Sequence, residues 1–302
     1  MAAMNPATAR HPQPGIFALG TPWHYHLQLD CDHDEPAAVG AAVAALREPE
    51  VAGGVNLVVA FGPRLWRHLA PEDTPADLAD FTAIDGAHHA PATQHDLYVW
   101  VHGPAYDAVF DSARGAVAAL APVATLATEQ PSFVYRDSRD LTGFIDGTEN
   151  PDVLEGPEVA VVGEGPGAGG SFVILQRWVH HLQDFAALSQ ADQEAVIGRT
   201  KPDSVELDES VMPPTSHVAR VVIEEDGEEL EIFRRSTAYG NLSEQGLQFI
   251  AFSADPGRFD KMLARMFGTS GDGLHDRLTD FSTPVTGAYY FAPSVEALHA
   301  LG

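Results

Sequence analysis

The 302-residue chain carries 17 lysine and arginine residues against 43 aspartate and glutamate residues, which gives a formal net charge of −26. Such a charge repels nucleic-acid phosphates and anionic lipid headgroups, so we expect neither nucleic acid nor a membrane among its partners. With 45% hydrophobic and 20% charged residues, the composition is that of an ordinary globular protein with a sizeable core.

The chain shows no feature that would direct it out of the cytoplasm. Its single cysteine, Cys31, cannot form an internal disulfide, and no run of 18 apolar residues is present. The first residues lack the basic start and apolar core of a signal peptide and contain three prolines instead. We therefore predict a cytoplasmic protein in which residues 1–15 form a disordered lead-in.

Residues 16–137 show the element order of a ferredoxin-like domain, which is strand, helix, strand, strand, helix, strand. Apolar alternation or short apolar runs indicate the strands, and longer apolar patterns bounded by proline indicate the helices. The predicted strands cover residues 23–29, 55–61, 96–101 and 131–135, and the predicted helices cover residues 37–46 and 105–120.

Residues 138–302 repeat this order after a glycine-rich connector at residues 163–170. Asp226-Gly227 is the strongest two-residue hairpin signal in the chain. The predicted elements are a strand from residue 171, a helix at 185–198, the hairpin at 217–235, a strand at 247–253, a helix from 256 and a strand at 286–291. We predict an α+β fold of two ferredoxin-like halves, residues 16–137 and 138–302, each with an antiparallel sheet.

A loop at residues 141–151 has the sequence LTGFIDGTENP and combines glycine, proline and two carboxylates. Gly143 and Gly147 permit backbone angles that are closed to other residues, and Pro151 excludes the helical region for the residue before it. Such a loop can aim the Asp146 side chain, and an acid beside apolar residues can have a raised pKa and transfer a proton. The alternative is a tight turn in which the aspartate caps its own backbone.

The predicted hairpin brings His217 and Arg234 together. Pro213-Pro214 delivers the chain to His217 in extended form, and the residues alone favour a hydrogen-bonded core histidine. Counting back from the turn makes His217 and Arg234 diagonal neighbours, about 7–8 Å apart at the backbone, unless the strands diverge at His217. For Arg234 the alternative is a surface arginine paired with a nearby glutamate.

Three segments together resemble one known family. GFIDGTENP at residues 143–151 resembles the signature of the dye-decolourising peroxidases, and PPTSHVARV and IFRRSTAYGN resemble the haem-ligand and distal-arginine regions of the same haem enzymes. The resemblance extends over most of residues 16–302 and fits the compact B-type subgroup best. It implies a dimeric α+β barrel-like arrangement of the two halves, with haem b in the C-terminal half.

The resemblance also implies an activity. The family's enzymes are haem peroxidases that reduce hydrogen peroxide by heterolysis of the O–O bond to a ferryl intermediate. They then oxidise dyes, phenols or similar small-molecule one-electron donors. Relatives commonly form homo-oligomers, so we expect one here.

On the same resemblance, individual residues receive roles. His217 is expected to bind the haem iron, Asp146 or Arg234 to move the peroxide proton, and Ser236 to order a distal water, while Phe249 lines the haem face. Asp280 is expected to accept the other ring proton of His217, with Asp276 as the alternative. Arg177 is expected to pair with a haem propionate. Exposed aromatics that pass electrons to bulky donors are the remaining expectation, with these candidates: Trp178, Tyr239, Tyr289 and Tyr290.

Two other functions stay open at this stage. A haem-handling carrier needs the ligand His217 but no polar pair such as Asp146 and Arg234 on the other side of the cofactor. A haem-free α+β binding module would use the 141–151 loop only as a structural turn. Measurements of haem binding and of reaction with peroxide distinguish the peroxidase, the haem carrier and the haem-free module.

Overall fold

The computed structural model describes residues 10–32, 35–46, 54–152 and 154–302. Its first half contains, in chain order, β1 Trp23–Cys31, α1 Pro36–Ala44, β2 Asn56–Phe61, α2 Pro63–Leu69, β3 Ile84–Asp85, β4 His89–Ala90, β5 Leu97–Gly103, α3 Tyr106–Leu120 and β6 Ala124–Phe133. The long strands form an antiparallel sheet in the order β6-β1-β5-β2, while β3 and β4 pair separately. This order, with α1 and α3 as its two helices, is that of a ferredoxin-like unit.

The second half contains α4 Gly156–Ala160, β7 Ser171–His180, α5 Leu182–Ala187, α6 Gln190–Ile197, α7 His217–Val221, β8 Glu224–Glu225, β9 Glu228–Glu229, β10 Phe233–Arg234, β11 Thr237–Gly240, β12 Gln245–Ser253, α8 Gly257–Met266, β13 Ser282–Pro284, β14 Ala288–Ala292 and α9 Val295–His299. Strands β10 and β11 pair one after the other with β12, and β13 and β14 pair one after the other with β7. With the central β12–β7 pair, this half is a second ferredoxin-like sheet.

Two strand contacts join the two sheets into one closed barrel. Phe133 of β6 pairs with Ala238 of β11, and Phe61 of β2 pairs with Phe291 of β14. The predicted α+β architecture of two ferredoxin-like halves is therefore confirmed. Successive residues of each strand face either the barrel interior or the outer face, where the helices pack. The boundary predicted between residues 137 and 138 falls in the loop between β6 and α4 and remains a prediction about domains.

The barrel interior is partly filled by histidines. The rings of His24 and His26 stack 6.1 Å apart, and His102 stacks on Trp100 at 4.0 Å. All three histidines are buried and hydrogen-bonded, for example His26 Nδ1 to Tyr98 Oη at 2.7 Å. Burial lowers the pKa of His24 from its ordinary value of 6.5 to about 3 and that of His102 to about 2. Neutral imidazoles are thus part of the folded core.

Two predicted segments of the N-terminal half differ from the structure. Residues 10–15, expected in the disordered lead-in, pack on the barrel: Gln13 is 3% exposed and bonds the Val59 backbone through both amide atoms. Residues 1–9 of that segment lie outside the described residues. Strand β6 begins at Ala124, ahead of the predicted start at residue 131, because half of its side chains face solvent and dilute the apolar pattern.

The hairpin is shorter than predicted. Glu225 faces Glu228 across the turn, as expected, but pairing stops after Glu224 and Glu229. His217 therefore begins a short helix and does not stand at the mouth of a strand.

Among the described residues, no helix is long and apolar enough to cross a bilayer.

Candidate active site

A cavity lies between the outer face of the C-terminal sheet and helices α7 and α8. Its empty space measures about 1370 Å³, counting the solvent at its open mouth. Most of the walls are apolar, and β7, β12 and α8 supply these lining residues: Ile174, Trp178, Leu247, Phe249, Phe259, Met262, Leu263 and Met266. The polar groups in this cavity therefore stand out against a hydrophobic lining.

His217 enters the cavity from the start of α7. Ser216 caps this helix, because its hydroxyl accepts a hydrogen bond from the Ala219 amide at 3.3 Å. His217 Nδ1 lies 2.6 Å from Asp276 Oδ2, whose side chain is fully buried. The second oxygen of Asp276 accepts from the Leu278 amide at 2.8 Å, which fixes the carboxylate. With Nδ1 engaged, Nε2 is the nitrogen of His217 that is free to bind a metal.

The structure corrects the expectation for Asp280. Its Oδ1 lies 2.9 Å from His88 Nε2 and 3.1 Å from His275 Nε2, and Asp276 takes the place beside His217. A 3-10 helix covers Arg277–Asp280. Asp276 precedes this helix as its N-cap with an extended backbone, whereas Asp280 is its last residue, so the two carboxylates contact different partners. The geometry supports the alternative, Asp276, as the acceptor of the second ring proton of His217.

The 141–151 loop aims Asp146 into the cavity. The Asp146 amide donates to Ser138 O at 2.9 Å, and Gly147 beside it has φ +73°, which a residue with a Cβ rarely adopts. The Asp146 side chain lines this cavity and also a second one, of about 1070 Å³. Burial raises the pKa of Asp146 above its ordinary value, although the nearby charge of Arg234 opposes the shift. An acid in this state can hold or release a proton.

Arg234 lies on β10, where the loop also holds its backbone. Its amide donates to Asn150 Oδ1 at 2.7 Å, so the asparagine of the loop orients the arginine strand. Arg234 lines both cavities together with Asp146. The adjacent Arg235 points into the barrel, where it donates to Ile16 O and Ala18 O. Adjacent strand residues face opposite sides, so Arg234 lines the first cavity whereas Arg235 lines only the second.

Three residues that line the cavities each have a buried polar atom without a partner. Among the described residues, no group forms a hydrogen bond with Gln176 Nε2, Arg234 Nε or Ser236 Oγ. Gln176 lines the first cavity, Ser236 lines the second, and Arg234 lines both. Buried polar atoms without partners are uncommon, so these three suit a polar ligand.

The other predicted cofactor residues divide into one that lines the cavity and one that does not. Phe249 of β12 lines it. Arg177 of β7 lies between the lining residues Gln176 and Trp178 and so faces the barrel interior, where its guanidinium lies 5.8 Å from the Tyr239 ring. Arg177 is therefore not among the residues that line this cavity, and its pairing with a haem propionate stays a prediction.

The candidate aromatics are all buried. Trp178, Tyr239, Tyr289 and Tyr290 are between 0% and 8% exposed, which overturns the expectation of exposed electron-transfer residues. Of the four, Trp178 lines the cavity.

The sequence reasoning missed two polar pairs at the cavity wall. Arg199 donates to Glu149 at 2.6 Å and to Glu206 at 2.8 Å, which accounts for the second carboxylate of the loop. His180 bonds Asp140 at 2.9 Å through Nε2. Burial would raise the pKa of Asp140, but the His180 charge and hydrogen bonds hold it below its usual value. Arg199 carries no motif of its own, and only the fold brings it to Glu149.

Comparisons with known proteins agree with this geometry. Residues 34–133 match the family model for the Dyp-type peroxidase N-terminal region, and residues 137–297 match that for the C-terminal region. The chain is 38% identical over 302 residues to a dye-decolorizing peroxidase of Mycolicibacterium paratuberculosis strain K-10, covering 95% of this chain and 84% of that one. A second dye-decolorizing peroxidase, from Rhodococcus erythropolis strain PR4, is 37% identical and is covered to 80% of its length.

Solved structures show the same similarity. A dye-decolorizing protein from V. cholerae superposes with a TM-score of 0.88 at 39% identity, covering 95% of this chain and 99% of that one. A DypB variant from Rhodococcus jostii RHA1, solved in complex with heme, superposes with a TM-score of 0.89 at 37% identity. That comparison covers 97% of this chain and all of the other.

Proposed function

This chain belongs to the Dyp-type peroxidase family, and we propose that its peroxidase site is the cavity between β7, β12, α7 and α8, with His217 as the iron ligand. The protein is a haem peroxidase that reduces hydrogen peroxide and oxidises a small-molecule donor. The observation that carries the assignment of the site is His217, which faces an apolar cavity with one ring nitrogen held by Asp276.

The residues present fit a haem. The walls are hydrophobic, as a porphyrin face requires, and an imidazole nitrogen is available as axial ligand. Arg234 Nε, buried and without a partner among the described residues, offers a donor for a polar ligand on the haem. When bound, haem supplies the redox chemistry, since its iron exchanges electrons with peroxide and with donors.

We assign Asp276 to the ligand side of the haem. By accepting the Nδ1 proton at 2.6 Å, its carboxylate holds His217 in the tautomer whose Nε2 lone pair is free. A carboxylate in this position also raises the basicity of the imidazole as a ligand. The burial of Asp276 keeps this interaction away from water, which strengthens it.

We assign Asp146 and Arg234 to the peroxide. A carboxylate with a raised pKa can take the proton from one peroxide oxygen and return it to the other, which makes water the leaving group. The guanidinium of Arg234 stays charged and stabilises the negative charge that develops as the O–O bond breaks. Ser236, in the adjoining cavity, is assigned to ordering a water beside them.

We further propose dyes or phenols as electron donors, a homo-oligomeric state and a cytoplasmic location. The donor class rests on the names of the relatives, and the location on the single cysteine. Size-exclusion chromatography with light scattering tests the oligomer, which a monomer mass would contradict.

The test of the site is haem ligation in His217→Ala. We expect the variant to lose the Soret spectrum of the histidine-bound haem and peroxide turnover, and to regain both when imidazole is added to the medium. His68→Ala, a change at an exposed position of α2, is the matched control and should behave as the wild type. A His217→Ala variant that keeps the wild-type Soret band and turnover would show that another residue binds the iron.

A further inference from the structure

Three metal-ligating side chains converge outside the haem cavity. His88, His275 and Asp280 each present one ligand atom, and these atoms lie within 4.8 Å of one another. Both imidazoles direct Nε2 at the same carboxylate oxygen, Asp280 Oδ1, at 2.9 and 3.1 Å. We propose that His88, His275 and Asp280 form a binding site for a divalent transition-metal ion of the zinc type. This inference does not rest on the proposed peroxidase site.

The backbone around the cluster is built to hold the two histidines in place. The turn between β3 and β4 carries His88 and packs directly on the end of α8, where the Ala87 amide donates to Phe267 O at 2.8 Å. A Cβ on Gly86 would stand 1.9 Å from that carbonyl oxygen, so only glycine permits this approach. Gly268, with φ +74°, then turns the chain toward His275. Such fixed backbone is what a metal site needs to keep its ligands converged.

The donor set selects the class of ion. Two imidazole nitrogens and one carboxylate oxygen suit zinc and its neighbours, whereas calcium and magnesium prefer oxygen ligands throughout. Bond lengths of about 2.0–2.1 Å separate neighbouring ligands of a tetrahedral ion by roughly 3.3 Å. The two distances from Asp280 Oδ1 to the imidazoles, 2.9 and 3.1 Å, would therefore need to open only slightly. The three side chains are between 36% and 39% exposed, which leaves water access to a fourth position. The net charge of −26 further attracts cations.

A bound ion would connect the two halves of the chain. His88 belongs to the N-terminal half, and Asp280 ends the 3-10 helix that starts next to Asp276. A metal at this cluster therefore fastens the segment that carries the partner of His217 to the β3–β4 turn. We expect the ion to raise the thermal stability of the protein, because it binds the folded arrangement and not the unfolded chain.

The test is calorimetric titration of zinc chloride into the haem-loaded, full-length protein after treatment with a chelator. We expect one equivalent to bind, and His88→Ala and His275→Ala each to weaken that binding at least about tenfold. His89→Ala is the matched control, since His89 is the next residue, is exposed and pairs with Asp85, and should keep the wild-type affinity. Each variant is compared by circular dichroism to confirm that it is folded.

A second measurement keeps the proposal testable if a histidine variant fails to fold. Zinc should raise the melting temperature of the wild type and of His89→Ala but not that of Asp280→Asn, which preserves the size of the side chain. The proposal is overturned if the wild type binds no stoichiometric zinc. It is equally overturned if the folded variants of the three ligands bind zinc as tightly as the wild type does.

Discussion

Asp276→Asn tests the ligand side of the site with one changed atom. In the protein, Asp276 Oδ1 accepts from the Leu278 amide at 2.8 Å and Oδ2 accepts from His217 Nδ1 at 2.6 Å. An asparagine has one acceptor and one donor for these two positions. If its oxygen keeps Leu278, its NH₂ group meets His217 Nδ1 and forces the proton to Nε2, where it blocks the iron. If the amide flips, two donors meet at Leu278.

The magnitude of this effect follows from burial. Because the Asp276 side chain is 0% exposed, water cannot relieve either donor–donor contact, and an unsatisfied buried donor costs about 1–3 kcal/mol. That energy corresponds to roughly 5- to 150-fold in a binding constant. We expect ferric haem to bind the variant more weakly by a factor in this range.

The assay is a titration of the haem-free protein with haem, followed at the Soret band. Asp280→Asn separates the two aspartates and should change haem affinity by no more than about twofold, since Asp280 contacts His88 and His275. Asp255→Asn is a control at another carboxylate that accepts from a backbone amide, that of Gly257, because Asp255 is not among the residues that line the cavity. Wild-type haem affinity in Asp276→Asn would show that the Asp276 carboxylate does not control the tautomer of His217.

Two further predictions concern stability. The pKa values of His24 and His102 fall to about 3 and about 2 on folding, so the stability from their neutral rings is complete above pH 6.5 and is lost as pH falls toward 3. At pH 5 each ring should lower the free energy of unfolding by about 2 kcal/mol relative to pH 7.5. Urea unfolding at the two pH values measures this difference, and equal free energies of unfolding would contradict the prediction. Gly147→Ala, at φ +73°, should cost about 1–2 kcal/mol and slow the reaction with peroxide, because it shifts Asp146. Gly163→Ala is its control: φ there is outside the left-handed region, and a Cβ meets nothing within 4 Å.

The strands and helices with strong local patterns were predictable from the sequence. Apolar runs at β2 and β5 and the Asp226-Gly227 turn depend on neighbours in the chain, and the structure confirms them. Most of strand β6 was missed, because Pro131 and the exposed polar side chains leave it without a clear apolar pattern. Its pairing with β11, at Phe133 and Ala238, joins residues that are far apart in the chain. Local sequence patterns therefore identify elements with regular apolar spacing, but they do not identify a strand such as β6, whose side chains are largely polar and exposed.

The candidate site was predictable where a motif carried it and not where the fold decides. His217, Asp146 and Arg234 of the motifs line the cavity, and so does Phe249 of the strand that follows them. The choice between two aspartates four residues apart depended on the turn of a 3-10 helix, which the sequence alone does not define.

The same limit applies to the side on which Arg177 lies. Arg177 lies on the face of β7 that points into the barrel, and only the order of the strands around the barrel determines which face that is. The pairing of Arg199 with Glu149 likewise joins residues that are 50 positions apart. No local pattern reports such a contact.

We propose that Asp146 and Arg234 assist the reaction of the haem-bound protein with peroxide. The most direct measurement is a stopped-flow absorbance trace after mixing with one equivalent of hydrogen peroxide, for the wild type, Asp146→Ala and Arg234→Ala. We predict a rapid change of the wild-type Soret band that is slowed at least about tenfold in one or both variants. Wild-type rates in both variants would contradict this role, and a wild-type Soret band that stays unchanged while His217 holds the haem would indicate a haem carrier.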